Sequence, residues 1–445
     1  MKILCIPCTY ALSHISRLLV VGIELRKRGH EVIFAGEGQK KRFIEQEGFT
    51  VLPLHEPDFE EVFGNIRKGK LKFIREKEID LMIAADLKLY KEVAPDLVLT
   101  DGRFTAAVST QMANIKHAAI VNVSSTEYRA LPYIPFFDWM PRIFTGSGSK
   151  LKKLLDSLNL KIEMTVFDKA MNTFSRLSRK HGIRKTVTAT NCLAGKDITL
   201  LADIPEYFPV KHLPEDYHYI GPLTWKPDNI SKPAWWPPKK NNKPLVYISM
   251  GTTGISNIFP LVYDLFKDSE FSAIITTGGQ AKGLRTIDGQ VYVEEYIDGD
   301  SAIEEADLVI CHGGNGTIYQ ALSHGKPVIG IPSIPDQAFN MRRVEELGVG
   351  KTLTWQKLLK NPQILLEMSK EILEEKSFRE NSIAMQEIIK IYTPAEKAVD
   401  ILENYKSRNA EKQEAKKDIS LYFNNKESDK LKVMKNNIHK LFVGR

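Results

Sequence analysis

The segment of residues 306–337, ADLVICHGGNGTIYQALSHGKPVIGIPSIPDQ, constrains the fold more than any other part of the chain. It opens with a short apolar run, residues 308–311, of the kind that forms a buried parallel strand. A glycine-rich turn follows, and apolar side chains then recur at helical spacing. A second apolar run occupies residues 328–331. The segment therefore predicts a parallel strand–helix–strand unit.

The glycine-rich turn, HGGNGT at residues 312–317, is suited to binding an anion. A helix N-terminus presents free N–H groups and the positive end of the helix dipole. Glycines allow close approach to the backbone, and His312 and Thr317 add side-chain donors. The turn lacks the lysine of a G-x-x-x-x-G-K-S/T phosphate loop and the G-x-G-x-x-G spacing of dinucleotide-binding folds. It therefore predicts a phosphate site of another kind.

The whole arrangement, which ends in Pro335-Asp336-Gln337, resembles the donor-binding segment of family 1 (UDP-glycosyltransferase-like) enzymes of the GT-B fold. The similarity is to the macrolide-type branch, whose members carry an H-G-G-x-G-T turn and a terminal D-Q. It implies that Asp336 and Gln337 hold the donor sugar. An alternative is that Asp336 caps a helix over residues 338–347, and both roles can hold together. The resemblance implies these residues for the donor diphosphate: His312, Gly314, Asn315, Gly316 and Thr317.

Four further residues are expected at the donor nucleotide: Gly251, Thr252, Ile297 and Gln320. The loop at residues 249–252 resembles the family's small-residue loop near the nucleotide, although a plain strand–helix turn explains it as well. The stretch around Ile297 departs from the family's frequent V-P-Q form. Both uracil and thymine therefore remain candidates for the base of the donor nucleotide. Many members carry a glutamate at the position of Gln320, where it binds both ribose hydroxyls. Glutamine offers no charge-assisted bond there.

The first half of the chain carries the candidate catalytic residues. SHISRL at residues 13–18 stands where the family shows G-H-x-x-P, and RGHEV at residues 28–32 matches its next motif. The resemblance implies that His14, in a polar loop before a helix over 16–28, takes the proton from the acceptor hydroxyl. Asp101 falls where plant members place the carboxylate that orients this histidine. The alternatives are a loop or capping histidine and a strand-end capping aspartate.

Strand-like and helix-like segments alternate along the chain without internal repeats. This alternation is typical of parallel sheets covered on both faces. We therefore predict an α/β fold with the GT-B architecture, two doubly wound Rossmann-like domains facing each other across a cleft. The predicted strands are residues 2–7, 31–35, 49–54, 97–100, 118–123, 245–249, 271–276, 291–293, 308–311 and 328–331.

The domain organisation follows from this pattern and from a segment rich in Pro, Asn and Lys. An irregular stretch with several aromatic residues, 131–161, is a candidate wall of the acceptor cleft, and simple packing is its alternative. We expect an N-terminal Rossmann-like acceptor-binding domain (1–222), a Pro-rich linker (223–243), a C-terminal Rossmann-like nucleotide-sugar-binding domain (244–393), a helix crossing back to the N-terminal domain (394–405) and a basic tail (406–445).

Charge and cysteine content narrow the function classes. The formal charge is +7, but residues 406–445 hold 11 Lys or Arg and 5 Asp or Glu, which leaves about +1 for the rest. The globular part is therefore not expected to bind nucleic acid, whereas the tail keeps peripheral membrane contact open. No apolar run is long enough to span a bilayer, so the expected location is cytoplasmic. The four cysteines are expected in the core or in loops, with redox chemistry at Cys5 and Cys8 as the less favoured alternative.

The sequence thus predicts an inverting, metal-independent hexosyltransferase with no cofactor. It would move a sugar from a UDP- or dTDP-sugar co-substrate to a hydroxyl of a small organic or lipid acceptor. The rivals are a GT-B nucleotide-sugar epimerase and a non-catalytic nucleotide-sugar-binding partner of a glycosyltransferase. An epimerase would form product without an acceptor, which separates it from a transferase.

Overall fold

The computed structural model describes residues 1–134, 150–210, 212–226, 232–239, 241–251, 254–255 and 257–405. The chain divides into two compact units, residues 1–396 and 397–445. The first unit contains both predicted sheets. In the second unit the described residues, 397–405, are helical.

The first sheet has seven parallel strands within the described part of the chain, in the order β3-β2-β1-β4-β5-β6-β7. Residues 3–6 of β1 are completely buried, as expected for a strand covered on both faces. The strands are β1 (Lys2–Pro7), β2 (Glu31–Ala35), β3 (Val51–Leu52), β4 (Leu97–Asp101), β5 (Lys116–Val121), β6 (Ile198–Leu201) and β7 (Tyr217–Tyr219).

The second sheet repeats this plan, with six described parallel strands in the order β10-β9-β8-β11-β12-β13. In both sheets the strand order reverses in the middle, where ligands of doubly wound folds bind beyond the strand carboxyl ends. The strands are β8 (Leu245–Ser249), β9 (Ser272–Thr276), β10 (Val291–Glu294), β11 (Leu308–Cys311), β12 (Val328–Gly330) and β13 (Gly350–Thr352).

Helices connect the strands of both sheets. The first domain contains α1 (Leu12–Lys27), α2 (Arg42–Gln46), α3 (Phe59–Arg67), α4 (Glu76–Val93), α5 (Ala106–Met112), α6 (Lys150–Ala170) and α7 (Thr173–Lys180). The second contains α8 (Ile258–Lys267), α9 (Gly299–Glu305), α10 (Asn315–Ser323), α11 (Pro335–Glu346), α12 (Trp355–Lys360), α13 (Ile364–Glu374) and α14 (Lys376–Lys390). Among the described residues, none of these helices has the length and apolarity that crossing a bilayer requires.

A buried aromatic contact joins the two domains. The rings of Tyr207 and Tyr319 lie 5.0 Å apart, and those of Phe208 and Phe339 stack at 5.4 Å. Tyr207 also donates from its hydroxyl to the carbonyl of Asn340 at 3.2 Å. Because these side chains are fully or almost fully buried, the two domains share one continuous core beneath the cleft.

The predicted α/β GT-B fold is confirmed, with differences at several boundaries. The short strands β6, β7 and β13 were not predicted, and the first helix begins at Leu12 rather than residue 16. Its N-terminal cap is Ala11, which forms no side-chain hydrogen bond, so no sequence signal marked that start. The proposed domain boundaries, including the crossing helix at 394–405, stay predictions. The basic tail and residues 135–149 of the aromatic stretch at 131–161 lie outside the described residues.

Candidate active site

The predicted site residues line one cleft, of about 460 Å³, between the two domains. Residues of the first domain and of the second face each other across it, as the sequence predicts. Asp101 does not line the cleft but is buried directly behind His14. Thr252 lies outside the described residues. The predicted residues that line the cleft are His14, Gly251, Ile297, His312, Gly314, Asn315, Gly316, Thr317, Gln320, Asp336 and Gln337.

His14 and Asp101 form a close pair. Nδ1 of His14 lies 2.5 Å from Oδ1 of Asp101, although 87 positions separate the two residues in the chain. Asp101 ends β4, which pairs with β1, and α1 follows directly after β1. His14 therefore sits in the first turn of α1 and not in a loop as the sequence suggested. A carboxylate in this position can accept from an N–H at Nδ1, and in that tautomer Nε2 is the ring atom that can accept another proton.

Arg17 is a third member of this cluster that sequence reasoning missed. Its guanidinium donates to both oxygens of Asp101, at 2.7 Å from Nε and 2.7 Å from Nη2. Nη2 also lies 3.2 Å from Nδ1 of His14. Such two-point contacts fix the plane of a carboxylate, so Arg17 orients the group that orients His14.

The cluster continues across the strand edge toward the second domain. Arg17 donates from Nη1 to the side-chain oxygen of Asn122, whose amide donates to Asp203 Oδ1 at 3.2 Å. Asp203 also accepts from the backbone N–H of Val123 at 2.6 Å and from the hydroxyl of Tyr319 at 2.9 Å. Burial of Asp203 raises the pKa of its carboxyl to about 7, and these donated bonds act against that rise. A buried polar chain thus links the candidate base to α10.

His312 is packed tightly between two glycines. A Cβ atom at Gly251 would lie 2.5 Å from Cε1 of His312, and one at Gly314 would lie 2.5 Å from Nε2. Gly251 also has φ of +56°, a conformation that favours glycine. Burial of the imidazole lowers its pKa to about 4. His312 is therefore neutral at pH 7 and able to donate one N–H to a ligand.

Several buried polar atoms at the second-domain side of the cleft have no hydrogen-bond partner among the described residues. They are Nδ1 of His312, both side-chain polar atoms of Asn315 and Oδ1 of Asp336. Burying such an atom without a partner costs on the order of 1–3 kcal/mol. All three residues were predicted to bind the donor and line the cleft, and buried polar atoms without a partner in native structures are often paired with a ligand or water.

The glycine turn places His312 and Asn315 at the N-terminus of α10. Gly314 is the cap residue and forms no side-chain bond to the helix, so the first N–H groups of α10 are not covered by a capping side chain. A Cβ atom at Gly316 would meet no atom within 4 Å, which places its backbone at open space. The helix dipole and these N–H groups together favour an anion at this position.

The predicted sugar-binding pair begins α11. The helix starts at Pro335 with Ile334 as its cap, so the alternative that Asp336 caps a helix at residue 338 is wrong. Burial raises the pKa of Asp336 above its ordinary value. Gln337 is 2% exposed and accepts at Oε1 from the backbone N–H and hydroxyl of Ser333, at 2.8 and 3.0 Å. Gln337 therefore also fixes the loop that precedes the helix.

The region predicted for the nucleotide base is lined by aromatic rings from both domains. Tyr296 lies 5.5 Å from Phe43, and Phe43 lies 5.8 Å from Trp225, measured between ring centroids. Ile297 and Gln320 line the cleft as well. Apolar and aromatic side chains of this kind commonly line the pockets of organic ligands.

Some residues of the polar cluster that the sequence analysis missed could have been found from their positions at strand ends. Asn122 follows β5 and Asp203 follows β6 by two residues, at the same carboxyl edge as Asp101. Arg17 lies three positions after His14 on α1, which places both on one helix face. Tyr319 had no such signal, because its apolar surroundings make it look like a core residue. Within the described residues, no group of three or more His, Cys, Asp or Glu side chains is arranged to hold a metal ion.

Two Rossmann-like domains that face each other across a cleft define the GT-B fold. The sequence model described as "Glycosyltransferase family 28 C-terminal domain" matches residues 246–418. The chain is 31% identical to the PGL/p-HBAD biosynthesis glycosyltransferase of Mycobacterium tuberculosis (strain ATCC 25177 / H37Ra), over 85% of this chain and 86% of that protein. It is also 31% identical to the PGL/p-HBAD biosynthesis rhamnosyltransferase of Mycobacterium bovis (strain BCG / Pasteur 1173P2), over 80% and 78% of the two chains.

Solved structures agree on the fold. The spinosyn rhamnosyltransferase SpnG, solved in complex with thymidine diphosphate, superimposes with a TM-score of 0.63 at 17% identity, over 91% of this chain and 100% of that chain. The chain therefore belongs to the family 1-like glycosyltransferases of the GT-B fold, the family that contains these mycobacterial enzymes. It is a nucleotide-sugar-dependent glycosyltransferase.

Proposed function

We propose that the protein transfers a sugar, with inversion, from a dTDP- or UDP-sugar to a hydroxyl of a small organic or lipid acceptor, with His14 as the base. The observation that carries this proposal is the position of His14, held by Asp101, in the same cleft as the unpaired polar atoms of His312, Asn315 and Asp336. A base on one wall and an anion site on the other are the two parts that a single displacement requires.

The proton moves from the acceptor hydroxyl to Nε2 of His14. Because Asp101 is 1% exposed and bonded to Nδ1, the imidazolium that forms is stabilised by a buried carboxylate. Arg17 holds the plane of that carboxylate by its contacts to both oxygens. The acceptor oxygen then attacks the anomeric carbon on the face opposite to the diphosphate, which inverts the configuration.

The leaving diphosphate is stabilised by the N-terminus of α10. Neutral His312, Asn315 and Thr317 would donate to its oxygens together with the backbone N–H groups of the turn. These fixed donors supply the positive potential that a bound metal ion supplies in other transferases. We therefore propose that transfer needs no divalent metal and that a chelator leaves the rate unchanged.

The donor sugar would bind between Asp336 and Gln337. The nucleotide base would bind near Ile297 and the aromatic rings beside it. A thymine base is the first choice for a test, since SpnG was solved with thymidine diphosphate, and a rhamnosyl donor follows from the name of the second relative.

The test is a transfer assay with dTDP-rhamnose and UDP-glucose against phenol, sterol and polyketide acceptors, read by mass spectrometry. His14→Ala should lower kcat by about 10²–10⁴ while the Kd for dTDP stays the same. His181→Ala, at an exposed position, is the control and should retain full activity. Transfer by His14→Ala at the wild-type rate would contradict the base assignment. Sugar conversion without any acceptor would favour the epimerase instead.

A further inference from the structure

Helix α6 buries polar residues and exposes apolar ones, which reverses the usual pattern of a surface helix. Asp156 and Asn159 are 7% and 2% exposed. Leu154, Leu158 and Ile162 are 67%, 52% and 51% exposed. A helix that only covers a protein core would turn these side chains the other way.

The exposed apolar residues form one continuous stripe. Leu151, Leu154, Leu158, Ile162 and Val166 are spaced by three or four positions, so they project from the same face of α6. We call this set the α6 stripe. Single exposed apolar residues are ordinary on protein surfaces, but an aligned row of five marks a face that meets another apolar phase.

The buried polar side chains fix the orientation of α6. Asn159 donates to the carbonyl of Ile134 at 2.7 Å. Glu163 accepts from Nη2 of Arg129 at 2.7 Å and from the backbone N–H of Tyr133 at 3.1 Å. Rolling the α6 stripe inward would break these bonds and leave a buried arginine without its carboxylate. The outward position of the stripe is therefore built into the fold.

Charge on α6 is distributed to suit an anionic surface. Its three acidic side chains all have partners on the protein: Asp156 pairs with a lysine of the same helix, Glu163 with Arg129, and Asp168 accepts from the N–H and hydroxyl of Thr190. The exposed charged residues of α6 are all lysines: Lys150, Lys153, Lys161 and Lys169. The outer face of α6 is thus apolar and cationic.

We propose that α6 docks the protein on an anionic lipid bilayer, with the α6 stripe inserted among the acyl chains and the lysines at the headgroups. An apolar face flanked by lysines is the composition of helices that lie in the membrane interface without crossing it. This inference goes beyond the proposed sugar transfer and does not depend on it, because lipid binding needs neither donor nor acceptor.

The inner face of α6 is connected to the second domain through one loop. Glu163 holds the backbone of Tyr133, whose ring lies 5.2 Å from Phe339 in α11, the helix that begins with the predicted sugar-binding pair. The inner face of α6 therefore supports a loop that reaches the second domain, while its outer face meets the bilayer.

The experiment is sedimentation of the full-length protein with vesicles of phosphatidylcholine alone and of phosphatidylcholine with phosphatidylglycerol in equal parts. Leu158→Glu should reduce binding to the anionic vesicles by on the order of tenfold or more, since it removes an inserted side chain and adds a negative charge. Leu359→Glu is the matched control, because Leu359 is 54% exposed on α12 and Leu158 is 52% exposed on α6. It should bind like the wild type. Unchanged thermal melting of both variants shows that they are folded.

Three results would overturn the proposal. The first is no binding of the wild type to anionic vesicles. The second is evidence that another surface binds the vesicles. Either Leu158→Glu and Leu359→Glu bind equally, or binding is lost when Lys430, Lys432 and Lys435 of the tail are changed to Glu while Leu158→Glu still binds. The third is self-association that Leu158→Glu abolishes without any vesicle binding, which would make the α6 stripe an interface between copies of the chain.

Discussion

The hydroxyl of Tyr319 donates a 2.9 Å hydrogen bond to Oδ1 of Asp203, and the two residues belong to different domains. Tyr319 lies in α10, the helix whose N-terminus is the proposed diphosphate site, whereas Asp203 follows β6 near the residues that hold His14. The same hydroxyl accepts from the backbone N–H of Ile204 at 3.3 Å. This buried polar contact within an aromatic interface fixes the donor helix relative to the candidate base.

Tyr319→Phe should lower the free energy of unfolding by about 1–3 kcal/mol. The substitution keeps the ring but leaves Asp203 with one donor fewer in a fully buried position. Urea unfolding measures the loss. The control is Tyr263→Phe, whose hydroxyl donates to the carbonyl of Arg285 at an exposed site and should cost less than about 0.5 kcal/mol. Equal losses of unfolding free energy for the two substitutions would show that the contact between Tyr319 and Asp203 does not stabilise the domain interface.

Arg17 should act on the rate through Asp101 without touching the donor. Arg17→Lys keeps the charge but cannot contact both carboxylate oxygens, so kcat should fall about tenfold; Arg17→Gln should lose about a hundredfold. The Kd for dTDP should stay the same in both. Arg26→Lys is the control on the same helix, where the guanidinium lies 4.0 Å from the Phe49 ring at the surface. A rise in KM with unchanged kcat would contradict a positioning role.

The sequence predicts most of the fold because apolar runs mark buried parallel strands well. The prediction of β8 and β11 coincides with the structure, and so does that of β1 and β2. The strands β7 and β13 are three residues long, so their apolar content cannot be told from that of a loop. Strand β6 is apolar but follows a long irregular stretch without a boundary signal.

The candidate site was predicted less completely, because its contacts join distant positions. Arg17 and Asp101 are 84 positions apart, and Tyr319 and Asp203 are 116 apart. No local sequence pattern predicts contacts between residues so far apart in the chain. The resemblance supplied His14 and the glycine turn, whereas the residues that connect them depend on the packing of one domain against the other. The roles assigned to all of these residues stay predictions until variants are measured.

The buried His312 should make the stability of the protein depend on pH. Its pKa is about 4 in the folded state against 6.5 for the unperturbed imidazole. Between these values the unfolded chain binds a proton that the folded protein does not. Stability should therefore fall as pH drops from 6.5 to 4, by at most about 3 kcal/mol for this group. Urea unfolding of His312→Gln should show a correspondingly smaller loss.

The control for this pH dependence is His181→Gln, which removes an exposed histidine and leaves the buried imidazole in place. It should retain the wild-type loss between pH 6.5 and 4. If His312→Gln and His181→Gln follow the same pH profile, the neutral state assigned to His312 is wrong. A second expectation is that dTDP reduces the loss of stability between pH 6.5 and 4, because a bound diphosphate favours the protonated imidazole of His312.

Asn315→Asp should weaken binding of the nucleotide by tenfold or more, about 1.4 kcal/mol. Asn315 is 8% exposed and neither of its side-chain polar atoms has a partner in the described part of the chain, so the new charge would repel a diphosphate at the proposed site. Calorimetric titration with dTDP measures the change. Asn381→Asp, on the surface of α14, should bind like the wild type. Equal affinity of both variants would place the diphosphate elsewhere.

The anomeric configuration of the product tests the central claim most directly. A dTDP- or UDP-sugar of known configuration is converted by the wild-type enzyme, and the new glycosidic bond is assigned by nuclear magnetic resonance. A single displacement assisted by His14 and Asp101 predicts the opposite configuration at the anomeric carbon in every product molecule. A product with the donor's configuration retained would contradict the mechanism, since it would require a second displacement or a front-face attack.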